Sequence, residues 1–227
     1  MRLHSGAPFW LLQDALASPN DYGVLAGNER CDVVVVGAGI TGALAADALS
    51  REGMDVVVVD KREPGVGSTA ASTAILLYET DAELARLSAM VGGQRAVRSY
   101  ALGRDAIGEL QALCDELPAS CNYTPLAGLY LASSRRDISR LREEVALRRR
   151  FGFDVTWLDR RELRNSFGLC AAGAIRTTEA ATLDPLQLTR QLLFRAARAG
   201  ARVYRGTTVS SHQPVGTRVV VRTKDGF

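Results

Sequence analysis

Residues 32–60 read DVVVVGAGITGALAADALSREGMDVVVVD, and this stretch decides the fold. Val33–Val36 is a short β-branched apolar run, the pattern of a parallel strand buried on both faces. It stops at Gly37, and Gly37, Gly39 and Gly42 stand in the G-x-G-x-x-G spacing. A helical stretch follows, with Ile40, Leu44 and Ala48 four apart on one face and Arg51 in its last turn. Gly53 stands where a left-handed C-terminal cap is expected. A second apolar run, Val56–Val59, ends in Asp60.

Each residue type has a physical task there. Gly37 permits the tight turn out of the strand, Gly39 lets a phosphate approach the backbone, and Gly42 lets helix and strand pack closely. The first amides of the helix, at Ile40, Thr41 and Gly42, lack intrahelical acceptors and sit at the positive end of the helix dipole. A diphosphate is stabilised there without a lysine. Asp60 follows Gly42 by roughly twenty residues, at the end of the second strand, where a carboxylate accepts hydrogen bonds from ribose hydroxyls. Strand, turn, helix, strand and acid together predict dinucleotide binding.

Composition bounds the rest. With 227 residues the chain forms one large or two small domains. Nearly half the residues are hydrophobic, enough for a real core. A net charge of +3 points to neither nucleic acid nor an anionic membrane. The segment from Arg135 to Arg164 holds ten arginines against six acids, but the two interleave as on a solvated helix face. Cys31, Cys114, Cys121 and Cys170 form no C-x-x-C pair, and His4 and His212 are the only histidines, so no metal site is expected. No apolar run nears the ~20 residues that span a bilayer. The start, MRLHSGAPFW, lacks the hydrophobic region of a signal peptide, and a cytoplasmic protein with free thiols is expected.

Outward from Asp60, Lys61–Gly67 is a proline- and glycine-marked loop. Gly67-Ser68-Thr69-Ala70-Ala71-Ser72-Thr73-Ala74 is built wholly from small residues, several bearing hydroxyls. Such a stretch serves a ligand lying close to the backbone, a tight helix contact or a linker. Beside a dinucleotide-binding unit the ligand reading leads.

The glycine fingerprint closing on Asp60, followed by GSTAASTAILLYE, resembles the D-amino-acid oxidase-type FAD-dependent oxidoreductases, a group that includes glycine, sarcosine and γ-glutamylputrescine oxidases. The aromatic arm Phe9-Trp10 before the first strand is most similar to the last of these. The resemblance implies FAD as cofactor and an amine or amino acid as substrate, oxidised by hydride transfer to the flavin. It implies cofactor contacts at Gly67, Ser68, Thr69, Ser72 and Thr73, with Lys61 beside Asp60 in the same set. The family often has glutamate where Asp60 stands. The implied fold is α/β, with a Rossmann-like FAD-binding lobe (a parallel sheet with flanking helices) and part of an α+β substrate lobe. The expected division is an arm at 1–27, the FAD lobe at 28–80 and 180–227, and a substrate-lobe segment at 81–179.

Periodicity predicts helices carrying Leu84, Leu87 and Val91 with Asp81 as cap, then a longer one from Gln94 to Leu117. Tyr123–Ala132 reads as an edge or bent strand, because it contains Pro125 and Gly128. Ser133 or Ser134 caps a helix bearing Ile138, Leu141 and Val145, and Val155–Leu158 is a short strand. Asp159 with Glu162 forms a capping box. Asp184-Pro185-Leu186-Gln187 starts a helix closed by Gly200, with Gln187 reaching back to the cap, and Ala201–Tyr204 is a strand. By resemblance, the chain then reaches Val209, whose backbone would meet the adenine. Arg218–Thr223 is a strand followed by an Asp225-Gly226 turn, expected to lack its partner strand, so that the chain is an N-terminal part of a longer protein or a truncated one. Tyr78, Tyr123 and His212 read as packing or surface residues, and no catalytic set stands out. Three alternatives stay open: a nicotinamide-dependent dehydrogenase, another FAD enzyme acting on a hydroxy acid or glycerol phosphate, and a non-enzymatic nucleotide-binding fragment. Oligomeric state is not legible.

Overall fold

The computed structural model describes residues 6–13, 21–118 and 121–226, so parts of the expected arm and the terminal Phe227 lie outside the described residues. The chain divides into two compact units, Met1–Ala74 with Asp184–Phe227, and Ile75–Leu183. The boundaries fall at 74 and 184 instead of 80 and 180, because Ile75–Leu77 pairs with Ala180–Thr182 inside the second unit.

The first unit opens with α1 (Phe9–Gln13). β1 (Val33–Val36), α2 (Ile40–Arg51) and β2 (Val56–Val59) follow as the glycine pattern predicts, with Val33 opposite Val56 through Val36 opposite Val59 in parallel register. All four valines of β2 are buried. The expected two-sided burial of β1 is corrected: its burial alternates, with Val34 and Val36 exposed on one face, Val36 at 61%. The buried face of α2 is Ala43, Ala46, Asp47 and Ser50, while Ala48 is exposed. Small residues there permit close approach to neighbouring elements.

The second unit is an antiparallel sheet with helices. It runs β3 (Ile75–Leu77), α3 (Leu84–Val91), α4 (Gly93–Glu116), β4 (Thr124–Leu131), α5 (Asp137–Arg150), β5 (Val155–Asp159), α6 (Arg160–Phe167) and β6 (Gly173–Thr182). The last of these organises the sheet: β4 pairs along one edge of β6, and β3 and β5 share the other. Tyr78, Tyr100 and Phe153 form an aromatic core, Tyr78 stacking on Phe153 with centroids 5.4 Å apart. The start of α3 is not capped by Asp81. Its Leu84 and Ala85 amides donate to the buried Glu144 carboxylate at 2.7 and 3.0 Å, and Arg148 Nε donates to the same carboxylate at 2.6 Å. Ser134 likewise starts a turn, its hydroxyl accepting from the Arg136 amide, and α5 begins only at Asp137. The capping box of Asp159 with Glu162 is present.

The chain then returns to the first unit with α7 (Pro185–Arg198), β7 (Arg202–Tyr204), β8 (Val209–Val215) and β9 (Arg218–Thr223). Asp184 caps α7 at the Leu186 and Gln187 amides, whereas the Gln187 side-chain oxygen is buried without a partner and does not complete a box. β7 adds to β2 in parallel, giving the order β1-β2-β7. Behind the sheet, α2 packs on α7, joined by a two-pronged ion pair of Arg195 with the buried Asp47, each contact 2.6 Å. The expectation of an unpartnered final strand is corrected, since β9 pairs with β8 across a turn at Gly216. His212 is exposed on β8.

Candidate functional site

The site forms where β1 gives way to α2. Gly37 has a φ of +105°, which turns the chain sharply, and its amide donates to Val59 O at 2.8 Å. Gly42 faces that turn: a Cβ built there would lie 1.9 Å from Gly37 O. At Gly39 a Cβ would meet Thr69 Oγ1 at 3.0 Å. Gly39 has no side chain with which to cap α2, and Thr69 does so instead, its Oγ1 accepting from the Ile40 amide at 3.0 Å. The Thr41 and Gly42 amides have no hydrogen-bond acceptor among the described residues. The first turn of α2 carries no acid of its own to offset its positive end.

Asp60 closes β2 directly beside this turn. Its Oδ2 accepts from the Ala38 amide at 2.7 Å and its Oδ1 from the Arg62 amide at 2.8 Å. Its own amide donates to Tyr204 O, which fixes the strand end from the β7 side. Next to it the Pro64-Gly65 turn folds back, the Gly65 amide donating to Ala38 O at 2.9 Å. Gly65 has a φ of +78°, and a Cβ there would lie 2.5 Å from the Leu186 side chain, so only glycine lets this loop reach the start of α7.

These elements enclose a cleft of about 580 Å³, a ligand-sized volume. Of the residues expected from sequence, Gly37, Gly39, Ile40, Thr41, Gly42, Asp60, Gly67, Ser68, Thr69 and Ser72 line it. Lys61, Thr73 and Val209 do not. Lys61 and Thr73 are exposed, while Val209 opens β8 opposite Thr223. Val35, Val36, Ala45, Arg62, Gly65, Val66 and Pro185 also line the cleft and were not expected from sequence. The Pro64-Gly65 pair was a usable signal for the turn, but nothing local marks Arg62 over Lys61.

Asp60 and Arg62 are the charged residues among those that line the cleft. That set of groups is chemically suited to an anion with a polyol beside it. It offers no nucleophile–base pair among the described residues. Those residues also contain no group of histidine, cysteine and carboxylate able to hold a metal, and no helix long and apolar enough to cross a membrane.

Residues 32–227 match the family of FAD dependent oxidoreductases designated DAO, and the chain belongs to that family. The cofactor of the family is FAD, which sets aside the nicotinamide alternative. The chain is 27% identical over 212 residues to the probable oxidoreductase OrdL of Rhizobium meliloti, covering 89% of this chain and 48% of that protein. It is 28% identical over 217 residues to the γ-glutamylputrescine oxidoreductase of Escherichia coli, covering 92% and 50%. The chain spans about half the length of the curated relatives it matches. Among solved structures it shares the fold of glycine oxidase from Geobacillus kaustophilus, with a TM-score of 0.71, 23% identity, and coverage of 88% of this chain and 53% of that one.

Proposed function

We propose that the cleft after β1 holds the diphosphate and adjoining ribose of FAD, and that the protein oxidises an amine or amino acid. The observation that carries this is the meeting of Asp60 with the glycine turn, its carboxylate 2.7 Å from the Ala38 amide. The Thr41 and Gly42 amides, with the Ser68, Thr69 and Ser72 hydroxyls across the cleft, offer donors to the diphosphate. Asp60 keeps lone pairs for ribose hydroxyls after accepting its two amides. Arg62 supplies a cation at the same wall.

FAD held there would supply the redox chemistry, as the acceptor of hydride from the carbon that bears nitrogen. The residues in the cleft bind and orient. The substrate class is supported by the likeness to γ-glutamylputrescine oxidoreductase. In this reading the partner is a small molecule, and the free cysteines suit a cytoplasmic location.

The test is reconstitution. Protein mixed with FAD and desalted should retain the visible absorption of oxidised flavin, and NAD should not compete for the site. A colourless protein that binds NAD tightly would overturn the assignment. Release of peroxide or ammonia from a panel of amines and hydroxy acids then tests the substrate class; turnover of hydroxy acids alone would reject it.

A further inference from the structure

We infer that Trp10 is a positioning residue for the cofactor cleft: its indole N–H holds the 67–74 loop in place before a ligand arrives. This rests on the reading of the cleft as an FAD site. Trp10 Nε1 donates to Ser72 O at 2.9 Å, from 62 positions away in sequence. The helix that presents it, α1, has five residues, too few to be stable by itself. Its tertiary contact is with α7, and within the helix Phe9 lies edge-on to the Trp10 ring at 4.9 Å.

The partner of that N–H is no ordinary loop position. Ser72 lines the cleft, and its hydroxyl accepts from the Ala74 amide at 3.0 Å. Ala74 has a φ of +55°, a left-handed conformation that a residue with a Cβ adopts only under constraint. At its other end the loop is tied to α2 through Thr69 and the Ile40 amide. Besides its backbone bonds, among them the Ala70 amide to Gly65 O at 3.2 Å, the loop is pinned to α2 at Thr69 and, as a second pin, to α1 at the Ser72 carbonyl. Trp10 supplies the second pin from a segment that does not itself line the cleft. A wall ordered in advance spares the ligand the cost of ordering it.

Two variants separate the bond from the packing. Trp10→Phe keeps an aromatic ring and removes the donor; Phe9→Leu keeps the donor and alters the packing of α1. In the reconstituted 227-residue chain, Trp10→Phe should release FAD about three- to tenfold faster than wild type, the range of one neutral hydrogen bond. In the apoprotein it should speed amide hydrogen exchange within 67–74, with the melting temperature little changed. Phe9→Leu should leave both readouts near wild type. Equal release and exchange for Trp10→Phe and wild type would overturn the inference, as would equal effects from the two variants. If the wild-type chain takes up no FAD, the cofactor reading falls, while the exchange comparison in apoprotein still decides the role of Trp10.

Discussion

The Asp60 carboxylate accepts the Ala38 amide at 2.7 Å, so the end of β2 is fastened to the turn that leaves β1. Its other oxygen takes the Arg62 amide at 2.8 Å. Asp60→Ala deprives both amides of a charged acceptor and should lower stability by about 1–3 kcal/mol. It should also weaken FAD binding about tenfold or more, because the ribose loses the same carboxylate. Asp60→Asn, which retains one acceptor oxygen, should cost less on both counts. Urea unfolding and FAD titration read the two effects separately; undiminished FAD affinity in Asp60→Ala would remove Asp60 from the ribose.

Two glycines of the fingerprint should respond differently to the same methyl group. At Gly42 a Cβ would lie 1.9 Å from the Gly37 carbonyl oxygen, and backbone must move. Gly42→Ala should destabilise the apoprotein by about 1–3 kcal/mol or more. At Gly39 the obstacle is Thr69 Oγ1 at 3.0 Å, part of a side chain that can give. Gly39→Ala should leave unfolding close to wild type and lose FAD. Parallel melts and FAD titrations of the two proteins test this, and equal melting losses would refute the distinction.

In the second unit Arg148 is 1% exposed and reaches Glu144 at 2.6 Å and Glu79 at 3.0 Å. Arg148→Met strands the buried Glu144 charge and should cost about 3–5 kcal/mol. Adding Glu144→Gln should recover part of that loss. A urea midpoint for Arg148→Met near that of wild type would show that the pair carries little of the unit's stability.

Burial lifts the pKa of Glu179 above its ordinary 4.5; Arg104 opposes the shift, and Asp154 and Glu79 add to it. One Glu179 carboxylate oxygen is buried without a partner. A carboxyl group with a raised pKa in the fold contributes stability below its unfolded pKa, and loses it as pH rises through the folded value. Glu179→Gln removes that loss. Its urea midpoint relative to wild type should therefore rise as the pH is raised above the ordinary carboxylate range. A difference that stays flat or falls there contradicts the shift.

Legibility followed the range of the interactions. The β1–α2–β2 unit could be read because Gly37, Gly42 and Asp60 answer steric and electrostatic demands set within one short stretch. The caps at Asp159 and Asp184 are equally local. β6, reading GAIRTTEAAT, was missed because its small and polar residues show no alternation; it is a strand through its three neighbours. β8, VSSHQPV, was missed for the same reason. Within the site, the hydroxyl residues at 67–74 stood out by composition, but their work did not. Thr69 caps a helix 29 positions away, and Glu144 serves the Leu84 amide across 60. No window of sequence displays such bonds.

Asp47 and Arg195 meet although 148 positions separate them, and the whole of Ile75–Leu183 intervenes. Yet Ile75 is the ladder partner of Thr182, so the ends of the intervening unit stand side by side. Once that unit has folded, the loop that β2 must close to find β7 is short, and its entropy cost falls accordingly. Ile75–Leu183 is therefore expected to fold before β7 joins β2. Trp157 reports on the middle and Trp10 on the beginning, so single-tryptophan variants should refold with the Trp157 signal leading. The gap in the primary structure is bridged by the insertion itself, acting as its own scaffold.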